Sequence, residues 1–171
     1  MKTLKKLTFL LFVSLAVMAC NKSDDDGGDD PQGGVGSFTA QVDGSSFTGI
    51  TGTVVAQLSN NGTALAVSGG TNDSENLQII LTAFDGVGTY QLGLTNIGSY
   101  AFLPDPSNPD PSTVVTYTTV NGTSSNGEIN ISSFDGDTVA GTFSFTAFNP
   151  QNTSESVEVT NGEFNIEVTN Q

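Results

Sequence analysis

The sequence predicts an all-β domain, an antiparallel meander of about nine or ten strands forming a β-sandwich or a barrel. Three observations carry that reading. Apolar residues alternate with polar ones at a period of two, as in Phe38, Ala40 and Val42, in Val157 and Val159, and in Phe164, Ile166 and Val168. Asx-Gly pairs recur at Asp43-Gly44, Asn61-Gly62, Asp85-Gly86, Asn121-Gly122, Asn126-Gly127, Asp135-Gly136 and Asn161-Gly162, and such pairs supply the positive φ that tight hairpins need. No helical period runs through any stretch after residue 36.

Taken in order, a first strand over 37–42 turns at Asp43-Gly44 and returns over 46–49. Strands over 52–59 and 63–69 flank Asn61-Gly62, a register that sets Leu58 opposite Leu65 and Ala56 opposite Val67, apolar against apolar. Further strands cover 76–84, 88–94 and 98–102. The stretch 103–112 (LPDPSNPDPS) holds Pro104, Pro106, Pro109 and Pro111. Proline lacks the N–H a ladder requires, so this is a loop stiffened toward polyproline II. Beyond it come strands over 113–119, 127–133, 138–148, 155–160 and 163–169, with the shorter ones merging. The last two are expected to form a hairpin about Asn161-Gly162, with Val159 facing Phe164 and Val157 facing Ile166. A sheet of this size curls or splits as its twist accumulates, which leaves barrel and sandwich both open.

Charge is distributed unevenly. The 171 residues hold 18 Asp and Glu against four Lys and Arg, and the four are Lys2, Lys5, Lys6 and Lys22. Setting aside the five Asp between 24 and 30, residues 37–171 carry 13 carboxylates and no basic side chain. A nucleic-acid partner is excluded, since binding one needs Lys or Arg to displace phosphate counterions. With no His, Lys, Arg or Cys in residues 37–171, most catalytic constellations lack their groups, so we expect no enzyme and no cofactor. Thirteen unpaired carboxylates should repel one another and raise their folded pKa values on average.

The amino-terminal residues read as an address. Lys2, Lys5 and Lys6 precede an eleven-residue apolar run over 7–17, well short of the roughly 20 residues a membrane span needs. Residues 1–19 therefore read as a signal peptide. The run ends in Val17-Met18-Ala19-Cys20, which resembles a bacterial lipobox, with Met18 departing from its usual small residue. The resemblance implies that Cys20 is acylated and becomes the mature terminus, so the membrane is a partner through that lipid alone. Lys22, Ser23, Asp24, Asp25 and Asp26 resemble the acidic export signal of surface-exposed lipoproteins of Bacteroidota, which implies an outer-membrane anchor facing outward. Residues 20–36 otherwise have the composition of an acidic, self-repelling tether. The domain is expected over 37–171.

The opening Phe38-Thr39-Ala40-Gln41-Val42-Asp43-Gly44-Ser45-Ser46-Phe47 and the closing Gly141-Thr142-Phe143-Ser144-Phe145-Thr146-Ala147 and Thr160-Asn161-Gly162-Glu163-Phe164 resemble an uncharacterised lipoprotein family of Bacteroidota. The resemblance implies architecture and location and adds no chemistry. Phe38, Phe47, Phe143 and Phe145 are expected in the core.

Asp85, Asp135 and Asp137 are the candidates for the two carboxylates that glycoside hydrolysis needs. Each lies in or beside a Gly turn, where Asp is already explained by bonds to nearby backbone N–H groups. Calcium suits an oxygen-rich acidic surface, yet Asp135-Gly136-Asp137 lacks the later ligands of an EF-hand loop. Asp137-Thr138-Val139 resembles a short O-glycosylation acceptor, making Thr138 the candidate, against a plain strand start. The leading expectation is a non-enzymatic binding or envelope module meeting a protein or glycan at the cell surface. Its contact surface is the Pro loop and the strand before it, through Tyr100, Phe102, Pro104, Asp105 and Asp110. A barrel lumen holding a small apolar ligand is the competing binding mode.

Overall fold

The computed structural model describes residues 33–170. The expected signal peptide, the lipidation at Cys20 and the export signal Lys22, Ser23, Asp24, Asp25 and Asp26 lie outside them. Among the described residues no helix is long and apolar enough to cross a membrane.

Eleven strands follow one another: β1 (Ser37–Val42), β2 (Ser45–Thr48), β3 (Val55–Ser59), β4 (Ala64–Gly70), β5 (Glu75–Leu81), β6 (Gly88–Leu92), β7 (Ile97–Phe102), β8 (Val115–Thr118), β9 (Gly127–Phe134), β10 (Thr138–Asn149) and β11 (Asn152–Asn170). All neighbouring strands pair antiparallel except β11 and β3, which run parallel. The all-β antiparallel architecture is the one the sequence predicts.

The long hairpin of β10 and β11 is the spine. One sheet runs β2-β1-β11-β10-β9-β6, and a second runs β3-β4-β5-β7-β8. They join at two corners: Val168–Asn170 at the end of β11 pair with Ala56–Leu58 of β3, and Phe148 near the end of β10 pairs with Thr118 of β8. Hydrogen bonding therefore closes a ring through β11, β3, β4, β5, β7, β8, β10 and back to β11. The result is a sandwich with two closed corners, which combines the two architectures left open by the sequence.

Alternation places the core between the sheets. Phe38, Phe47, Phe143 and Phe145 are buried there, as expected, together with Phe164. The rings of Phe38, Phe143 and Phe164 pack with centroids 5.2 to 6.4 Å apart. Glycines on the second sheet make room for them. A β-carbon at Gly69 would lie 2.8 Å from Cδ1 of Phe38, and one at Gly98 would lie 3.1 Å from the ring of Phe145. The interior between the sheets is thus packed with these aromatic rings and with buried aliphatic side chains such as Leu65, Leu77, Ile79, Ile129 and Ile131.

Turn chemistry holds at most of the predicted positions. Asp43 and Gly44 adopt φ of 47° and 79° in a two-residue β1–β2 hairpin. At Asn61-Gly62 the register sets Leu58 opposite Leu65 and Ala56 opposite Val67, as the hydrophobic pattern requires.

Asn161-Gly162 is a correction. No hairpin forms there, and β11 continues through it. Asn161 alone takes positive φ, 50°, and the pairing slips between Thr39 and Gln41 of β1 and between Phe143 and Phe145 of β10. The dipeptide is a β-bulge. Val159 and Phe164 are five residues apart yet both point inward, which strict alternation forbids and an inserted residue restores. Two partner strands hold the bulge from either side, so the chain cannot fold back.

Candidate functional site

The sequence places an acid where the core pattern expects an apolar residue. In β5 the inward-facing series is Glu75, Leu77, Ile79 and Leu81, with the three apolar members buried. Register carries that series across the second sheet: Leu77 stands opposite Tyr100, and Tyr100 opposite Tyr117, while Glu75 stands opposite Phe102. Glu75 and Phe102 therefore form the rim of the interior where β5 begins and β7 ends.

Here the two sheets part and leave a cleft of about 520 Å³. Val42, Phe47 and Val157 of the first sheet face Glu75, Tyr100 and Tyr117 of the second across it. Asp43 and Asp73 stand exposed at its edge. The β1–β2 turn that carries Asp43 is pinned to β11. The Asp43 amide donates to the carbonyl of Glu158 at 2.9 Å, and the Glu158 amide donates to Oδ1 of Asp43 at 2.8 Å.

Tyr100 is 7% exposed, and its hydroxyl donates to Oε1 of Glu75 at 2.6 Å. The Thr71 hydroxyl donates to Oε2 of the same carboxylate at 3.2 Å. Burial first, and then the Glu75 hydrogen bond and charge, push the Tyr100 phenol well above its ordinary pKa. Glu75 is oriented by two hydroxyl donors and by no cation, because residues 33–170 contain no Lys, Arg or His. Such a cleft offers aromatic faces and negative charge together, the combination that attracts an ammonium or guanidinium group.

Of the residues singled out in the sequence, the structure brings Tyr100 and Phe102 together, with ring centroids 5.7 Å apart, and puts both in the cleft. Pro104, Asp105 and Asp110 stand apart from it, exposed on the loop between β7 and β8. Asp105 and Asp110 serve that loop itself. Oδ1 of Asp105 accepts from the Ser107 hydroxyl at 2.6 Å, and Oδ1 of Asp110 accepts from the Ser112 hydroxyl at 2.7 Å and amide at 2.9 Å. These bonds, the seryl hydroxyl foremost, hold both carboxyls below their usual pKa.

Asp135 behaves alike in the β9–β10 turn. Its Oδ1 accepts from the amides of Thr138 at 2.7 Å and Asp137 at 2.9 Å, the first of which does most to lower its pKa. The Thr138 hydroxyl also donates to Asp135, at 3.2 Å. Asp85 lies in another turn, its amide donating to the Tyr90 hydroxyl at 3.0 Å. Asp85, Asp135 and Asp137 are thus exposed turn residues away from the cleft. Among the described residues no three His, Cys, Asp or Glu side chains group as metal ligands.

Sequence reasoning missed Asp43, Asp73, Glu75 and Tyr117. One signal was present: Glu75 sits in the apolar phase of its strand.

Residues 35–166 match the model of a family described as Domain of unknown function (DUF6252). The chain belongs to the DUF6252 family. No curated protein and no solved structure matches it. The matched span runs from just before β1 into the last part of β11, so every residue that lines the cleft lies within the DUF6252 domain.

Proposed function

We propose that this DUF6252 protein is a lipid-anchored, outward-facing binding module, without enzymatic activity, that captures a cationic group in the cleft at the edge of its sandwich. The observation that carries the reading is Glu75, an inward-facing carboxylate oriented by Tyr100 and Thr71 and flanked by aromatic rings, in a domain with no cation of its own. A cation for that carboxylate has to come from outside the domain. The filled interior favours this open cleft over a lumen for an apolar ligand. The chain pattern of residues 1–26 supports anchoring through Cys20 and delivery to the outer face of the outer membrane.

A second reading has one observation in its favour: Asp43, Asp73 and Glu75 share the cleft, as the two carboxylates of a glycoside hydrolase would. Both oxygens of Glu75 already accept hydrogen bonds, which suits an orienting acceptor better than a proton donor. We therefore retain binding.

The test is titration of the protein with N-acetyl-lysine methylamide, followed by NMR. Shifts at Tyr100, Phe102 and Tyr117 that vanish in Glu75→Gln support the reading. Saturable shifts elsewhere, or none at any concentration, would overturn it. Release of nitrophenol from aryl glycosides, abolished by Glu75→Gln, would establish the hydrolase instead.

A further inference from the structure

One wall of the cleft is a strand with a free side. β2 (Ser45–Thr48) is an edge of the first sheet and among the described residues pairs with β1 alone. Ser45, Ser46 and Phe47 of this strand line the cleft. The two-residue turn at Asp43-Gly44 makes Val42 and Ser45 the first hydrogen-bonded pair of the ladder. The Gly49 amide, donating to the Phe38 carbonyl at 2.8 Å, keeps that phase at the far end. Hydrogen-bonded pairs alternate with non-bonded ones along an antiparallel ladder. The backbone N–H and C=O of Ser46 and Thr48 therefore point away from β1, and both residues are exposed.

We propose that β2 accepts an extended basic peptide as an additional strand, with a Lys or Arg of that peptide reaching into the acidic cleft. This rests on the cleft reading above and names its partner class. The strand edge supplies sequence-independent hydrogen bonds, and the cleft supplies selection. On an added strand, the residue opposite Phe47 projects to the same side as Phe47. That side holds Glu75 and Tyr100 across the cleft, so the side chain delivered there meets a carboxylate and aromatic faces. The flanking residues of the peptide face the other way. The opposite edge of the sheet, β6, makes the contrast: the groove beside it, lined by Gln91, Leu94, Thr95 and Ser125 among others, has no charged side chain.

The experiment uses the full chain in non-ionic detergent and the capped hexapeptide VKVKVK, followed by isothermal titration. Three controls accompany it: VEVEVE, VKVKVK methylated at alternate backbone nitrogens, and N-acetyl-lysine methylamide. VKVKVK should bind, and VEVEVE should not. Backbone methylation, Ser46→Pro and Glu75→Gln should each weaken VKVKVK at least about tenfold, because free-edge hydrogen bonds are lost in the first two and a charge pair in the third. Ser46→Pro removes an N–H that points away from β1, so its melting transition should be retained. The methylated peptide tests the same bonds without altering the protein.

If methylation and Ser46→Pro change nothing while Glu75→Gln still weakens binding, strand addition is wrong and the cleft reading stands. If lysine methylamide binds as well as VKVKVK, the same conclusion follows. If neither VKVKVK nor lysine methylamide binds, or VEVEVE binds equally, both readings fail.

Discussion

The hydroxyl of Tyr100, on β7, reaches diagonally across the β5–β7 ladder to donate a 2.6 Å hydrogen bond to Oε1 of Glu75. This one contact ties a phenol of the core to a carboxylate of the rim, and it fixes how the cleft presents its charge. Tyr100→Phe should lower stability by about 1–2 kcal/mol, the cost of removing a donor from a charged acceptor that is partly open to water. Thermal melts at pH 7 check this, and an unchanged transition would deny the bond any weight.

The same contact predicts an alkaline limit. The folded Tyr100 pKa lies above the unfolded value of about 10. A raised folded pKa gives stability that is complete below the unfolded pKa and is lost as pH rises toward the folded one. Wild-type stability should therefore fall above about pH 10 more steeply than that of Tyr100→Phe. In the ultraviolet difference spectrum between the two proteins, no phenolate from Tyr100 should form until the domain unfolds. Ionisation of Tyr100 in the folded state near pH 10 would contradict its burial.

Acid should act through the turns. The folded Asp135 pKa is lowered by the Thr138 and Asp137 amides, so its contribution is present above the unfolded value of about 3.9 and disappears as pH falls through the folded one. Asp135→Ala should melt lower than wild type at pH 6, and the two curves should converge as pH falls through the lowered folded pKa. Mutual repulsion among the 13 carboxylates acts in the opposite direction, since it raises pKa values. Asp105, Asp110 and Asp135 all move down, because local N–H and O–H donors outweigh distant like charges at those turns. A gap between wild type and Asp135→Ala that widened in acid would reverse this ordering.

Gly162→Ala tests the bulge. Its β-carbon would lie 2.5 Å from Cδ2 of Phe143, a clash with a buried ring that should cost about 1–3 kcal/mol. Asn161→Gly, where φ is 50°, should change stability by only a few tenths of a kcal/mol. Denaturant midpoints for the two variants check the contrast, and equal losses would mean that the bulge is not where the constraint lies.

Anchoring has a direct readout. Intact mass of the membrane-extracted protein should show loss of residues 1–19 and gain of acyl mass, and Cys20→Ser should release it into the soluble fraction. A mature protein that still began at Met1 would remove the proposal. Protease added to intact cells should digest the domain, and replacing Lys22, Asp24, Asp25 and Asp26 with Ala should protect it.

Local pattern made most of the strands legible and left the closure of the fold hidden. The two Asn-Gly pairs at 61 and 161 show why. At Asn61-Gly62, facing pairs on either side of the turn, Leu58 with Leu65 and Ala56 with Val67, form as the pattern says. At Asn161-Gly162 the pattern is degenerate: Val159 and Phe164 both point inward whether the chain reverses or merely bulges. What decides is the pairing of Val159 with Val42 and of Phe164 with Phe38 on one side and Gly141 on the other. Those partners come from distant parts of the chain. The cleft divides the same way. Glu75 was readable as a charge out of phase and Asp73 lies two residues before it in the turn into β5, whereas the approach of Asp43 depends on how the sheets face each other.

The ring closed through β11 also dictates an order of events in time. β1, β3 and β10 all pair with residues 152–170, so the β3 corner and the join between β1 and β10 wait for the last of the eleven strands to leave the ribosome. Contacts of such long sequence separation form slowly. On the proposed export route, the domain should cross the membrane as an open chain and mature only after the whole span has emerged on the far side.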